Sequence, residues 1–324
     1  MTQPKQSQGL SRRACLGLAA AALLPQAPAA GELALHRPLA ARSTCLDVCQ
    51  AGTRLVTVGE RGHVLLSDDQ GQHWRQARSV PTRTILTAVH AVDAQRLVAA
   101  GHGGLILSSS DAGENWRVAA GSATGPDTLL AIRLEADGVG LAVGGFGYAL
   151  RTLDGGATWK RVELLSGEAG ERHFNRIFVS TRGTWLIAAE GGQVLRSENR
   201  GEHWSAVVTP YQGSLWSGLA LSEGTLLACG MRGNLLRSVD DGLTWRHIAM
   251  AAAGAGSLTG LTLLADHSPL LVGLDGSLLR GNVSGEQFKF QRLEDRPSLS
   301  GALALADGQV LLIGNGGPRL YHPI

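Results

Sequence analysis

Hydrophobic and polar positions along this chain fall into short runs that are repeatedly broken by glycine. Runs such as Leu97-Val98-Ala99-Ala100, Leu105-Ile106-Leu107 and Leu226-Leu227-Ala228-Cys229 are too short for helices, so they predict strands joined by tight turns. Seven such turns occupy residues 59–62, 101–104, 144–147, 189–192, 230–233, 273–276 and 314–317, and each ends in glycine, which reaches positive φ without a Cβ clash.

A second pattern, [Ser/Thr]-x-[Asp/Asn]-x-Gly-x-x-Trp, follows five of these turns. Its anchors are Asp69 and Trp74, Asp111 and Trp116, Asp154 and Trp159, Asn199 and Trp204, and Asp240 and Trp245. The third positions lie 42, 43, 45 and 41 residues apart, and a worn sixth copy ends at Gly285-Glu286-Gln287-Phe288. Each repeat holds four strand-like runs, which is the content of one propeller blade. Residues 31–324 number 294, or 42 for each of seven units. The expected fold is all-β: a seven-bladed β-propeller of four-stranded antiparallel blades. The last unit stops at Tyr321-His322-Pro323-Ile324 with neither box nor outer strand, so the segment Glu32 to His36 is expected to supply that strand and close the ring.

The box has a structural logic. Its carboxylate can accept backbone N–H groups further along the turn, its Ser or Thr can bond locally, and its Trp can bury a large ring. Asn199 keeps that geometry without the charge, which argues against a catalytic role.

Residues 1–30 read as an export signal, with Ser11-Arg12-Arg13 before an apolar run from Ala14 to Leu24 and small residues at Ala27-Pro28-Ala29-Ala30. The paired arginines resemble a twin-arginine signal, although Cys15 and Gly17 depart from its usual Phe and Lys, and a Sec signal is the alternative. The expected address is the periplasm, with residues 31–324 as a single propeller and no stable membrane insertion after cleavage. Removing Lys5, Arg12 and Arg13 leaves 26 basic and 27 acidic residues, a net charge of −1, which speaks against nucleic-acid binding.

No cofactor or metal is expected. Cys45, Cys49 and Cys229 lack metal-ligand spacing, and four residues of strand hold the first two about 13 Å apart, beyond disulfide reach. His63 and His73 fall at opposite ends of a strand pair. Gly144-Gly145-Phe146-Gly147 and Gly101-His102-Gly103-Gly104 join strand to strand, so they lack the helix N-terminus that a phosphate cradle needs.

The boxes are those of Asp-box, or bacterial neuraminidase, repeats. With Gly-x-x-Gly turns ahead of the boxes, as in Val58-Gly59-Glu60-Arg61-Gly62-His63-Val64-Leu65-Leu66-Ser67-Asp68-Asp69, the chain resembles the photosystem II stability and assembly factor-like family. The resemblance implies a non-enzymatic, seven-bladed scaffold that binds a membrane protein or its periplasmic segment. Glycoside hydrolysis is the alternative, because sialidases and some glucanases carry the same boxes. A sialidase resemblance would need an arginine triad and a Tyr–Glu nucleophile. Tyr148, Tyr211 and Tyr321 offer no such arrangement, and a two-carboxylate mechanism would have to draw on Asp47, Glu60, Glu190 and Asp275.

In a blade of this order the turns share one face with the blade-to-blade loops, and the boxes occupy the opposite rim. The turn face offers Arg61, Arg83, Arg172, Arg232 and Arg296 with Phe146, Tyr211 and Trp216, the last two placed in loops. Arginine with scattered aromatics is the composition of protein-binding hot spots, and this face is the candidate for docking an acidic segment.

Overall fold

Alternation along the middle strands determines the architecture, because successive side chains point to opposite faces of a sheet. In the strand Leu97–Gly101, Leu97 and Ala99 enter one apolar cluster while Val98 and Ala100 enter the next. The strand Leu226–Gly230 divides in the same way, with Leu226 and Ala228 on one side and Leu227 and Cys229 on the other. A sheet that is apolar on both faces must be covered on both, and a ring of sheets achieves this with each blade packed between two others.

The computed structural model describes residues 32–122, 125, 127–221, 224–249 and 256–323, so the export segment lies outside the described residues. Seven antiparallel sheets follow one another in chain order, six of four strands and the last of three. The first blade consists of Cys45–Ala51, Arg54–Gly59, Val64–Ser67 and Arg75–Gln76. The innermost strands of the others are Leu86–Ala91, Leu129–Leu134, Phe174–Val179, Leu215–Ala220, Leu258–Leu263 and Leu299–Ala304. Apolar clusters fill the seams between neighbouring blades, and one of them joins Leu305, Leu311 and Ile313 of blade seven to Cys45, Leu55 and Leu65 of blade one.

The closing strand differs from expectation. Glu32–His36 forms no strand, and blade seven ends at Arg319–Tyr321 with three strands. The N-terminal arm crosses instead to the outer edge of blade one. There the Ala34 N–H donates to the Val80 carbonyl at 2.9 Å, Gln76 donates to the Leu35 carbonyl at 3.1 Å, and Arg83 pairs with Glu32 at 2.6 Å. The long polar side chains of Gln76 and Arg83 reach the arm backbone and the Glu32 carboxylate, and they hold the arm at blade one. Closure therefore rests on seam packing and on the Ser300 hydroxyl, which donates to the Cys45 carbonyl at 2.6 Å.

Each box is a self-contained hydrogen-bonded knot. In the first, Asp69 Oδ1 accepts from the Ser67 hydroxyl and the His73 backbone N–H, both at 2.9 Å, and Ser67 accepts from Gly71 N–H at 2.8 Å. The Trp74 indole donates back to the Gly71 carbonyl at 3.0 Å. Asn199 makes the same two Oδ1 contacts, at 3.0 Å to Ser197 and 2.9 Å to His203 N–H. In the worn sixth copy Asn282 takes the central place, accepting from the Glu286 and Gln287 N–H groups.

Candidate functional site at the turn face and channel mouth

The seven glycine turns and the starts of the inner strands are locked together. The second residue of each turn (Glu60, His102, Gly145, Glu190, Met231, Leu274 and Asn315) donates its N–H to the carbonyl just before its own blade's inner strand, at 2.9–3.2 Å. This repeated bond puts the turn crests and the mouth of the central channel on one face. The closing glycine of a turn must lie close to a loop: a Cβ on Gly62 (φ +70°) would meet the Thr82 carbonyl oxygen at 2.1 Å.

The crest position before that glycine is left-handed in every blade, and four crests carry side chains: Arg61, Phe146, Arg232 and Asp275, with φ between 51 and 57°. Non-glycine residues are uncommon in this region. Arg61 and Arg232 are exposed there, and no acid pairs with either among the described residues. Phe146 is 67% exposed, its ring tilted against His173 at 4.6 Å.

The other expected site residues divide. Arg83 is held by Glu32, Arg172 by Glu168 at 2.7 Å, and Arg296 lies 3.9 Å from Asp275. Tyr211 braces the fifth turn, its hydroxyl donating to the Met231 carbonyl at 3.2 Å. Trp216 is not in a loop. It is the second residue of the inner strand Leu215–Ala220, because the linker before that strand ends at Ser214.

On the opposite rim arginines serve the seams between blades. Arg54 and Arg75 both reach Glu114 of the next blade, at 3.1 and 2.5 Å, and Arg200 forks onto Asp137 at 2.6 and 2.7 Å. The arginine-rich composition thus has two uses, inter-blade ion pairs on the box rim and two crest guanidinium groups on the turn face.

The channel mouth is built by a repeated irregularity. Every inner strand slips register at its second residue, so Leu46, Thr87, Leu130, Asn175, Trp216, Thr259 and Ser300 are bulged out of the ladder. All seven line one cavity of about 510 Å³, rimmed by Thr44, Leu274, Ser298 and Asn315. Four of them latch the ring. Thr87, Asn175, Thr259 and Ser300 donate to the carbonyl of the first inner-strand residue in the next blade, at 2.5, 2.7, 2.8 and 2.6 Å.

The third position of each inner strand forms the layer beneath: Asp47, Ala88, Ala131, Arg176, Ser217, Gly260 and Gly301. Five of these side chains are small, and the two large ones meet across the channel. Arg176 of blade four donates to Asp47 Oδ1 of blade one at 3.0 Å, while Asp47 Oδ2 accepts the Val89 N–H of blade two at 3.0 Å. The sequence reading gave no role to Leu46, Leu130 and Arg176. The signal was available in the aligned inner strands, where the third column is small except for one acid and one arginine.

Three of the four carboxylates considered for glycoside chemistry are engaged separately. Asp47 is held by Arg176, Glu190 accepts the His173 N–H at 3.3 Å, and Asp275 lies 3.4 Å from Arg292. Among the described residues no group of three His, Cys, Asp or Glu side chains could hold a metal ion. Cys45, Cys49 and Cys229 are free thiols, and burial pushes Cys45 up to about 11 and the other two upward as well.

No family model matches the chain. A curated relative, the photosystem II assembly lipoprotein Ycf48 of Synechocystis sp., is 32% identical over 105 residues, which is 32% of this chain and 31% of that protein. The match therefore spans under a third of the relative's length. A solved structure of YCF48 bound to D1 peptide superposes with a TM-score of 0.70 at 18% identity, covering 90% of this chain and 97% of that one. YCF48 from Cyanidioschyzon merolae gives 0.67 at 15% identity, covering 90% and 99%. A streptogramin B lyase gives 0.73 at 12% identity, covering 88% and 96%. The structures share the propeller fold. The resemblance to the photosystem II assembly factor-like family thus extends from the turns and boxes to a curated relative and to the shape of the ring.

Proposed function

We propose that this chain is a non-enzymatic, protein-binding propeller, similar in its work to the photosystem II assembly factors, that holds an acidic segment of a membrane protein on its turn face during assembly or maintenance of a membrane-associated complex. The observation that carries the reading is the division of arginines by face: on the box rim Arg54, Arg75 and Arg200 pair with acids of neighbouring blades, while Arg61 and Arg232 stand on left-handed crests and form no ion pair among the described residues. Exposed guanidinium groups with aromatic neighbours recognise carboxylates by forked hydrogen bonds. The likeness to a propeller solved with a peptide bound supports the same class of partner. In this reading residues 1–30 direct export by a twin-arginine-like signal, and the propeller works on the periplasmic side.

The test is capture of the partner from detergent-solubilised membranes by the full-length protein and by the Arg61→Ala/Arg83→Ala/Arg232→Ala variant, at low and moderate salt. The reading predicts a membrane-protein partner that is lost with salt and lost in the variant. Undiminished capture by the variant contradicts it, and retention on glycans in place of a protein partner favours the carbohydrate-binding alternative.

A further inference from the structure

We infer that the channel mouth is a socket for one large apolar side chain of the acidic segment held on the turn face. This rests on the docking reading above and supplies what that reading leaves open, the chemistry of the bound segment. The argument starts from the seven bulge positions, which are equivalent in the repeat. A hydroxyl or amide there latches its blade to the next, and four blades use it so. Blades one, three and five carry Leu46, Leu130 and Trp216 instead, and these three side chains forgo the latch.

Their structural contribution is small, because all three are only half-buried and face the cavity. The Trp216 indole, half-buried in the cavity wall, presents a large apolar surface to any occupant. The cavity, about 510 Å³, lies within the size range of ligand pockets and shares their make-up of apolar walls with a few polar groups. Beneath it the Asp47–Arg176 pair spans the channel, so the mouth is a blind socket rather than a pore.

The rim identifies the occupant. Arg61 stands on the same blade as Leu46, and Arg232 on the same blade as Trp216, so guanidinium groups flank the apolar wall on two sides of the ring. An extended peptide that is acidic on both sides of one Phe, Leu or Trp satisfies both features. Its carboxylates meet the crests while the apolar side chain fills the mouth, in the pattern of a buried anchor with a charged surround.

The experiment measures fluorescence anisotropy of two labelled Glu/Ser/Gly peptides, one with a central Phe and one with Ala at that place, titrated with the full-length protein. The Phe peptide is expected to bind about tenfold tighter or more, the yield of burying one aromatic side chain. Trp216→Ala should erase that preference while both peptides keep the weaker affinity. Arg61→Ala/Arg232→Ala should weaken both peptides alike and flatten the salt dependence. Trp216→Thr provides a control for folding, because it restores a latch toward the Leu258 carbonyl. It is expected to raise the melting temperature while removing the Phe preference, a combination that a purely structural Trp216 would not give.

Equal binding of the two peptides, or a Phe preference that survives both Trp216 variants, overturns the socket. If both peptides then still bind with a salt-dependent affinity that the arginine variant lowers, the docking reading stands without it. If a Phe preference survives while the arginine variant and salt change nothing, the acidic segment is refuted. Displacement of both peptides by phosphatidylcholine vesicles, with no Phe preference, overturns the inference in favour of an acyl chain.

Discussion

The residues that most clearly connect sequence to stability are the box carboxylates. Asp69 is held at about 2, chiefly by the His73 backbone N–H, and Asp154 at about 2, chiefly by the Thr158 hydroxyl. A carboxyl whose folded value lies below its unfolded value of roughly 3.9 contributes stability that is complete above that unfolded value and lost as pH falls toward the folded one. These carboxylates should therefore give thermal melts an acid limb between pH of about 4 and 2, below the separate decline that starts near 6.5 because burial holds His90 down to about 4. Asp69→Asn and Asp154→Asn are expected to make the acid limb shallower, because Asn199 already holds its knot through an uncharged side chain. An unchanged acid limb would sever the boxes from acid stability. The crests give a second residue-level expectation. Arg61→Gly and Arg232→Gly relieve left-handed backbone, so unfolding stability should change by no more than about 1 kcal/mol while partner capture falls. Loss of folding in these variants would assign the arginines to structure.

Among the elements the seam between blades seven and one stands apart. Within the first three blades, the run after each outer strand continues onto the next blade's box: Trp116 N–H donates to the Ser79 carbonyl and Trp159 N–H to the Ala120 carbonyl, both at 2.9 Å. Blade seven has no outer strand to continue, and a cavity of about 370 Å³ opens over Leu65 and Trp74. Trp159 is 2% exposed, whereas Trp74 is only partly buried. Replacing a fully buried Trp by Ala costs about 3–5 kcal/mol, so Trp159→Ala should destabilise more than Trp74→Ala by about 1 kcal/mol or more in urea titrations. Equal losses would mean that the seam is as well sealed as the others. This seam also marks the limit of what the sequence discloses. Turn glycines, box spacing and alternation specify the seven blades, because each is a local rule that the tertiary structure obeys. The fate of Glu32–His36 is a competition between two edges, decided by the reach of Gln76 and Arg83, which no periodicity encodes. Trp216 was visible as an aromatic near the turn face, but its place in the channel depends on a bulge that appears only when the inner strands are set side by side.

On the scale of the molecule, the Asp47–Arg176 pair links opposite sides of the ring. Asp47→Ala would leave the Val89 N–H and the Arg176 guanidinium without their acceptor, a loss of about 1–3 kcal/mol for an unsatisfied buried group. A double-mutant cycle with Arg176→Met should recover part of that loss, and simple additivity would show that the two do not communicate across the channel. The ring has two faces of different chemistry, a box rim where Arg54, Arg75 and Arg200 pair with neighbouring blades and a turn face where Arg61 and Arg232 form no ion pair among the described residues. The most direct test of this division is hydrogen–deuterium exchange of the full-length protein alone and with its captured partner. The account predicts new protection at the crests around Arg61 and Arg232 and at the starts of the inner strands, with the boxes around Asp69 and Asp240 unchanged. Protection confined to the boxes, with crests and channel mouth exchanging as before, would contradict it.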